Sequence, residues 1–550
     1  MRQLLGLTGL LIFALGFPAA NGTSQSEFAS VSSLAESVLV NNPFTRSQEP
    51  IYLSYEELQK LSQNPVPDAA LKKKLDKFWT TPIISNEAHY AGVKPRHLRD
   101  PRLGPFVRIA SWNIEKSFNI KEAIDFFISK NSFSDMIDKD VVEPEGAVWH
   151  DMHRQRERII DADIILFQEM EIGIKRSGYL NAAAEIAKTL NMNYAYAPQY
   201  LEVDPVTLGM EELAFEDDDK VVEAEARDFF SVDPAQYKGA FGSAVLSRYP
   251  IKHVEIRPLK TQAYDWYWGE MQKVGVTEKL RRVGTKSLFK NVIQRELKVG
   301  GRGYFRVDLE VPELPEKTLT IINIHLEIKC KPEYRELQMR EILDYIRDIR
   351  NPVVVMGDFN MAPTDISPTT AGRILKRTAQ NPTTWFSLAV NYLSPHALMI
   401  NTTRLLSNFT KNLNDPTAKH IPVVAPNPLE SFFEMMRDYR FNDSYAFDFR
   451  GDPSRSMGQK DKALANSNQR GTKGFVTSFR VLRPIGLVGK FRLDWVFVKS
   501  YAYDPYGQEE PYRFAPHFGE TLEDMNYNLM LPISDHAPNV VDLPFEEPKI

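Results

Sequence analysis

Short apolar runs that stop abruptly on polar side chains recur along this 550-residue chain. The clearest is Pro352-Val353-Val354-Val355-Met356-Gly357-Asp358-Phe359-Asn360. A β-branched run of this length predicts a buried strand, and the glycine lets the backbone turn where Asp358 and Asn360, two apart, fall on one side. A carboxylate beside an amide at such a point either closes the strand as an Asx turn or orients a water and a phosphoryl oxygen.

Five further segments carry polar groups at or beside a predicted strand. Val107 to Glu115 alternates apolar and polar residues, which predicts a strand with Asn113 and Glu115 on one face. Asp161 to Glu169 predicts a second buried strand ending on a carboxylate. A charge there is costly to desolvate unless it is salt-bridged or binds a metal, which makes Glu169 a candidate ligand. Thr318 to Leu326 brings His325 to a strand end. Phe491 to Val498 carries Asp494, and Ser534-Asp535-His536-Ala537-Pro538 precedes a last strand at 540–543. Helical periodicity covers 54–58, 69–79, 180–190 and 333–349, with further strands at 194–197, 242–251 and 303–311. No internal repeat is present.

Composition narrows the class. With 25% charged residues and a net charge of −5, the chain is globular and lacks the overall basic footprint of a non-specific nucleic-acid binder. A local basic groove remains open, because Glu278 to Arg302 holds eight lysines and arginines against two glutamates. That stretch faces a phosphate-rich substrate, an anionic membrane or plain solvent, and it makes Arg302 a candidate substrate contact. The neighbouring Tyr264-Asp265-Trp266-Tyr267-Trp268 either edges a substrate groove or packs.

The first residues have the order of a secretory signal: Arg2, an apolar run from Leu4 to Phe17, then small residues around Ala19 and Ala20. The expectation is a signal peptide at 1–22, an N-terminal extension at 23–104 and a catalytic domain at 105–545 with a long insertion at about 364–475. The apolar run is short for a membrane span, and none is expected in the mature protein, which should be secreted or periplasmic. Cys330 is the single cysteine, so no intramolecular disulfide forms. Its odd spacing from His325 would place the two on opposite faces of a strand and argues against a Cys–His nucleophile.

Taken together, Ser-Trp-Asn-Ile-Glu (111–115), Gln-Glu (168–169), Leu-Ser-Arg-Tyr-Pro-Ile (246–251), Ile-His-Leu-Glu (324–327), Arg335 with Gln338, Gly-Asp-Phe-Asn (357–360), Arg-Leu-Asp-Trp-Val (492–496) and Ser-Asp-His-Ala-Pro (534–538) resemble the endonuclease/exonuclease/phosphatase superfamily. The resemblance implies an α/β four-layer sandwich, with two mostly antiparallel sheets face to face and helices outside. It implies Glu169 as the principal Mg²⁺ ligand, with Asn113 and Asp535 holding metal or its waters, and with Mn²⁺ as a possible substitute. Asp358 would orient the attacking water, Asn360 and His325 would stabilise phosphoryl oxygens, and Asp494 with His536 would form a His–Asp pair. Glu115 stands where relatives often have Asp. Ser243 stands where several relatives have Asn, which marks it as a candidate substrate contact.

The implied activity is hydrolysis of a phosphate ester, most directly a phosphodiester of nucleic acid or a phospholipid head group, by a monomeric enzyme. A phosphomonoesterase of small molecules and a non-catalytic binding protein are the competing classes. The presence of all five of Glu169, Asp358, Asp494, Asp535 and His536 argues against the latter.

Overall fold

The computed structural model describes residues 44–211, 231–271, 296–361, 429–449, 475–485, 488–501 and 513–548. The signal-like segment, the acidic run Glu216–Asp219, the basic residues from Lys279 to Arg295 and most of the 364–475 insertion lie outside them.

Seventeen strands are described. In chain order they begin with β1 (Ser47–Gln48), β2 (Ile83–Ser85), β3 (Arg99–Asp100), β4 (Gly104–Asn113), β5 (Ile164–Ile172), β6 (Asn193–Glu202) and β7 (Ala240–Ser247). There follow β8 (Ile251–Pro258), β9 (Lys298–Gly300), β10 (Gly303–Glu310), β11 (Thr318–His325) and β12 (Val353–Asp358). The last are β13 (Phe479–Ile485), β14 (Val488–Phe491), β15 (Asp494–Lys499), β16 (His517–Thr521) and β17 (Asn539–Pro544).

They form a ten-stranded sheet in the order β1-β2-β6-β7-β5-β4-β17-β16, with β3 beside β4 and β9 beside β6, and a five-stranded sheet in the order β15-β12-β11-β10-β8. A separate hairpin joins β13 to β14. Each large sheet is antiparallel except for one central pair, β4 with β5 and β11 with β12. The inward faces carry branched apolar side chains at every second position, so Ile109, Leu166 and Val245 meet Val307, Ile321 and Val354 between the sheets. Helices cover the outer faces, with Phe126 and Ile186 against Trp112 and Phe167 on one side, and Met339 and Phe432 against Val355 and Trp495 on the other. The result is the four-layer α/β sandwich that the resemblance implies.

Residues 44–104 are built into this core. Their helices Tyr55–Gln63 and Ala69–Thr80 start at Ser54 and Asp68, whose side chains accept from backbone N–H groups of the first turn, and they bury Leu58, Leu61, Leu71 and Phe78. Strand β2 then pairs with β6 and extends the larger sheet. The described piece of the insertion, Glu430–Asp438, likewise buries Phe432, Phe433 and Met436. Among the described residues no helix is long and apolar enough to cross a membrane.

Three strand ends differ from the periodic reading. β4 stops at Asn113, and Glu115 lies in a 3-10 turn, Glu115–Ser117, whose residues all have left-handed φ. β5 runs past Glu169 to Ile172, because the register with β7 slips between Phe167 and Met170 and forms a bulge. β11 ends at His325, so Cys330 lies in a loop, half-buried, and the strand-spacing argument does not apply to it. Its thiol bonds the Glu327 carbonyl at 3.3 Å.

Gly357 is required where it stands. Its φ is +143°, and an added Cβ would lie 2.2 Å from the Ile324 carbonyl oxygen on the parallel neighbour β11. Gly357→Ala is expected to cost about 3 kcal/mol or more in a denaturant titration. Gly92→Ala, also at a left-handed φ but with nothing within 4 Å, should cost much less. Equal losses would show that dihedral strain, not the approach of β11, sets the requirement.

Candidate functional site

The central strands of both sheets point the same ends toward one place. The parallel pairs do this directly: Asn113 is level with Gln168 on β4 and β5, and His325 is level with Asp358 on β11 and β12. Antiparallel pairing then adds Asp494, opposite Asp358, from the start of β15. Between the sheets, Asn323 donates to the carbonyls of Phe167 (3.1 Å) and Ala244 (2.9 Å), and Gln168 Nε2 donates to Asn323 Oδ1 (2.7 Å). This buried amide pair locks the relative level of the two sheets just beneath the polar ends.

Asn113 is the hinge of the cluster. Its Nδ2 donates to Asp358 Oδ2 at 2.9 Å and approaches Glu169 Oε1 at 3.4 Å, so one amide links carboxylates from opposite sheets. Glu169 reaches this point because the bulge gives it a φ of +60° and re-aims its side chain. His325 Nε2 lies 3.7 Å from Glu169 Oε1 and 4.0 Å from Asp358 Oδ2. All four side chains are buried.

Asp358 does close an Asx turn. Its Oδ1 accepts from the Asn360 backbone N–H at 2.8 Å, and Asn360 sits at φ +50° with its side-chain amide on the Leu326 carbonyl at 2.9 Å. One of the two Asn360 amide hydrogens is thereby engaged. The turn fixes one Asp358 oxygen and leaves the other facing the cluster, so the two roles open to an Asp-x-Asn at a strand end coexist.

His536 arrives from the loop before β17. Ser534 Oγ donates to the Asn113 carbonyl at 2.6 Å and accepts from His536 N at 3.0 Å, while Trp112 Nε1 donates to the His536 carbonyl at 2.8 Å. Asp535 N donates to Glu115 Oε2 at 3.1 Å, which gives Glu115 the task of holding this loop. Nδ1 of His536 donates to Asp494 Oδ2 at 2.8 Å, and Nε2 lies 3.9 Å from both Asp358 Oδ2 and Asp535 Oδ1. Ser478 Oγ supports the start of β15 by accepting from Leu493 N and Asp494 N at 3.2 Å.

Burial disfavours charge on His536, but Asp494, helped by Asp358 and Asp535, outweighs it and lifts the imidazole to about 10. Asp358 is pushed up to about 7 by burial, although His536 works in the opposite sense and Asp494 repels its charge. The site is thus a crowd of oxygen donors from five distant segments around one protonated imidazole.

Oxygen-rich donors of this kind suit a hard divalent cation. Asp358, Asp494 and His536 offer ligand atoms all within 4.8 Å of one another, close enough to hold a metal ion. A protonated imidazole is no ligand, however, and Nδ1 is engaged by Asp494. Glu169, the ligand expected from the sequence, stands outside this trio, and Asn113 turns its Nδ2 toward Glu169 and Asp358 while its Oδ1 accepts from Glu115 N at 3.1 Å.

Arg302 and Ser243 lie on the flank beside Glu169. Arg302 is buried, not solvated as a member of a basic surface would be, and its Nε donates to Glu327 Oε2 at 3.2 Å. Glu327 Oε2 also accepts from Tyr200 Oη and Trp266 Nε1, both at 3.0 Å, so Trp266 packs, whereas Trp268 is half exposed. Sequence reasoning missed Asn323, Ser478 and the Glu327 anchor. Each is a polar residue whose partners lie far away in the chain.

The chain matches the Endonuclease/Exonuclease/phosphatase family over residues 110–536. Similar solved structures include an endonuclease/exonuclease/phosphatase from Beutenbergia cavernae DSM 12333, at 14% identity over 80% of this chain and 71% of that one, with a TM-score of 0.32. The human Nocturnin catalytic domain is 12% identical over 81% and 94%, TM-score 0.32, and a 3'-5' exonuclease from Neisseria Meningitidis is 13% identical over 80% and 99%, TM-score 0.33. No curated protein matches. The family match spans well over half of the chain and runs from before Asn113 to His536, and the protein belongs to the endonuclease/exonuclease/phosphatase family of phosphoester hydrolases.

Proposed function

We propose that this protein is an exported, Mg²⁺-dependent phosphodiesterase, acting as a monomer on the phosphodiester of a nucleic acid or a phospholipid head group. The observation that carries the reading is the single Asn113 amide joined to Glu169 and Asp358, with the Asp494–His536 pair 3.9 Å beyond. The signal-like start of the sequence supports export to a secreted or periplasmic location.

Glu169 would hold Mg²⁺, or Mn²⁺ in its place, with Asn113 and Asp535 holding the ion or its waters, and the ion would neutralise phosphate charge that otherwise repels a nucleophile. Asp358, with one oxygen fixed by the Asn360 N–H, takes the proton of the attacking water, and its value near 7 suits that task at neutral pH. Asp494, with Asp358 and Asp535, favours the charged form of His536 and raises its value to about 10. His536 acts as a fixed cation that stabilises the negative oxygens of the phosphoryl group, with His325 and the remaining Asn360 amide hydrogen as further donors. In-line attack of the water then breaks the P–O bond.

Glu169→Ala, Asp358→Ala and His536→Ala should each lower hydrolysis of a chromogenic phosphodiester by about a hundredfold or more while circular dichroism stays native. EDTA should abolish the wild-type rate and Mg²⁺ restore it. Wild-type rates in any of the three variants would remove that residue from the site. Parallel assays on plasmid DNA, RNA and sphingomyelin separate the two substrate classes.

The His–Asp pair predicts a pH effect that needs no turnover. The folded value of His536 lies above its ordinary 6.5, so its charged form adds stability that is complete below pH 6.5 and lost as pH rises through about 10. In the metal-free protein, imidazole NMR signals of His536 should stay in the protonated position through pH 8. In Asp494→Asn they should titrate at or below neutral pH, and the alkaline loss of stability over this window should shrink. An unchanged titration would show that Asp494 is not what holds the charge.

A further inference from the structure

Two buried polar groups on one flank of the site have bonding capacity that no described residue uses. Ser243 Oγ is fully buried without a hydrogen-bond partner among the described residues, and so is Nη1 of Arg302, a residue only 4% exposed. Native proteins rarely leave such groups unsatisfied, and two beside one site point to an acceptor supplied from outside.

Both groups are positioned toward the reacting centre. Phe241, Ser243 and Val245 alternate onto one face of β7, and Val245 lies in the core between the sheets. Phe241 touches His325 at 6.4 Å between ring centres, and the Ala244 carbonyl is held by Asn323, two residues before His325. Across β7, the bulged residues Gln168 and Glu169 lie opposite Ser243, since Phe167 pairs with Ala244 and Met170 with Gly242. Ser243 therefore faces the gap between Glu169 and His325.

Arg302 closes the same gap from the other sheet. Arg306 pairs with Ile322, and continuing that register four residues brings Arg302 level with Leu326, next to His325. Its guanidinium lies 5.4 Å from the Tyr200 ring of the larger sheet, so it bridges the sheets at the site end. Glu327 grips it through Nε, and that carboxylate is itself held by Tyr200 and Trp266. Burial works against the Arg302 charge, and Tyr200, Glu327 and Glu169 outweigh it and raise its pKa. A fixed, charged guanidinium with a terminal nitrogen left to donate is a common protein device for a phosphate oxygen.

We propose that Arg302 and Ser243 form a second anion subsite that binds a phosphate adjoining the scissile one, so that the preferred substrate carries at least two phosphates. The inference rests on the phosphodiesterase reading above and narrows it. The subsite lies on the Glu169 side of the centre, away from the Asp494–His536 pair, where the non-reacting arm of a substrate would extend. A head group with a single phosphate would leave it empty.

The test is steady-state hydrolysis, in Mg²⁺, of matched chromogenic esters. One pair is the p-nitrophenyl ester of thymidine 5'-phosphate with and without a 3'-phosphate. A second pair places the extra phosphate directly on the first, as a diphosphate ester. In one pair the second phosphate should lower KM by about tenfold or more with kcat little changed, as one charge-assisted contact gives. Advantage in the first pair assigns the spacing of a polynucleotide, and in the second that of a diphosphate.

Ser243→Ala, which removes an oxygen without a protein partner and so should fold, should cut the KM advantage to about a third. Arg302→Lys should all but erase it. Where Arg302→Lys fails to fold, Arg302→Gln with Glu327→Gln serves instead, because it removes the charge pair together. The proposal is overturned if neither pair shows a KM advantage, or if the advantage survives in every variant. Absence of hydrolysis of all four esters takes down the phosphodiesterase reading and the subsite with it.

Discussion

Asn113 donates from one amide nitrogen to carboxylates that belong to different sheets, and the placement of almost every other polar group follows from that contact. Two sheets packed by branched apolar side chains can slide by a residue at little cost in burial, but the amide cannot follow. Gln168 and Asn323, bonded just beneath it, remove the same freedom a second time. The backbone carries the consequence: Glu169, Asn360 and Glu115 all take left-handed φ values that non-glycine residues seldom adopt. Each costs energy, and the three gather where strands from both sheets end, which is where strain serves positioning.

The same contact accounts for the electrostatics. Bringing Glu169, Asp358, Asp494 and Asp535 out of water together is unfavourable unless positive charge joins them. The chain supplies one unit through His536, whose proton Asp494 secures, and another through Arg302 on the Glu169 flank. That leaves the carboxylates in excess, and Asp358 responds by resisting ionisation. A divalent cation bound among these carboxylates, as proposed, would complete the set.

Period-two patterning made the strand cores and their order legible, because a buried run ending on a charge carries its own physical cost in the sequence. Asp358 and Glu169 stood out for that reason, whereas His325 and His536 were assigned roles only through the family resemblance. Glu115 was placed on a strand because alternation continues past Asn113, although the backbone leaves the strand there through left-handed residues that alternation cannot reveal. The bulge at Glu169 is similarly silent, since a bulge is a property of two paired strands. Arg302 read as one of eight basic residues, and only the fold shows its partner Glu327, 25 positions away. Composition describes a stretch, whereas burial is decided residue by residue.

The segment before the family match acquires a role from this geometry. Strand β2 pairs with β6, the strand that carries Tyr200, and an added Cβ on Gly300 of β9 would lie 3.0 Å from the Trp79 ring. Tyr267 Oη donates to the Ser62 carbonyl at 2.8 Å, which ties the aromatic loop to the helix Tyr55–Gln63. The extension is thus packed behind the flank that holds Arg302 and Ser243, and away from the Asp494–His536 pair. The strand ends around Asn113 lie inside the family match, and the helices that back Tyr200 and Trp266 lie before it. Arg302 thus depends on that packing through Glu327, which Tyr200 and Trp266 hold, whereas Asn113 is held by the sheet ends themselves.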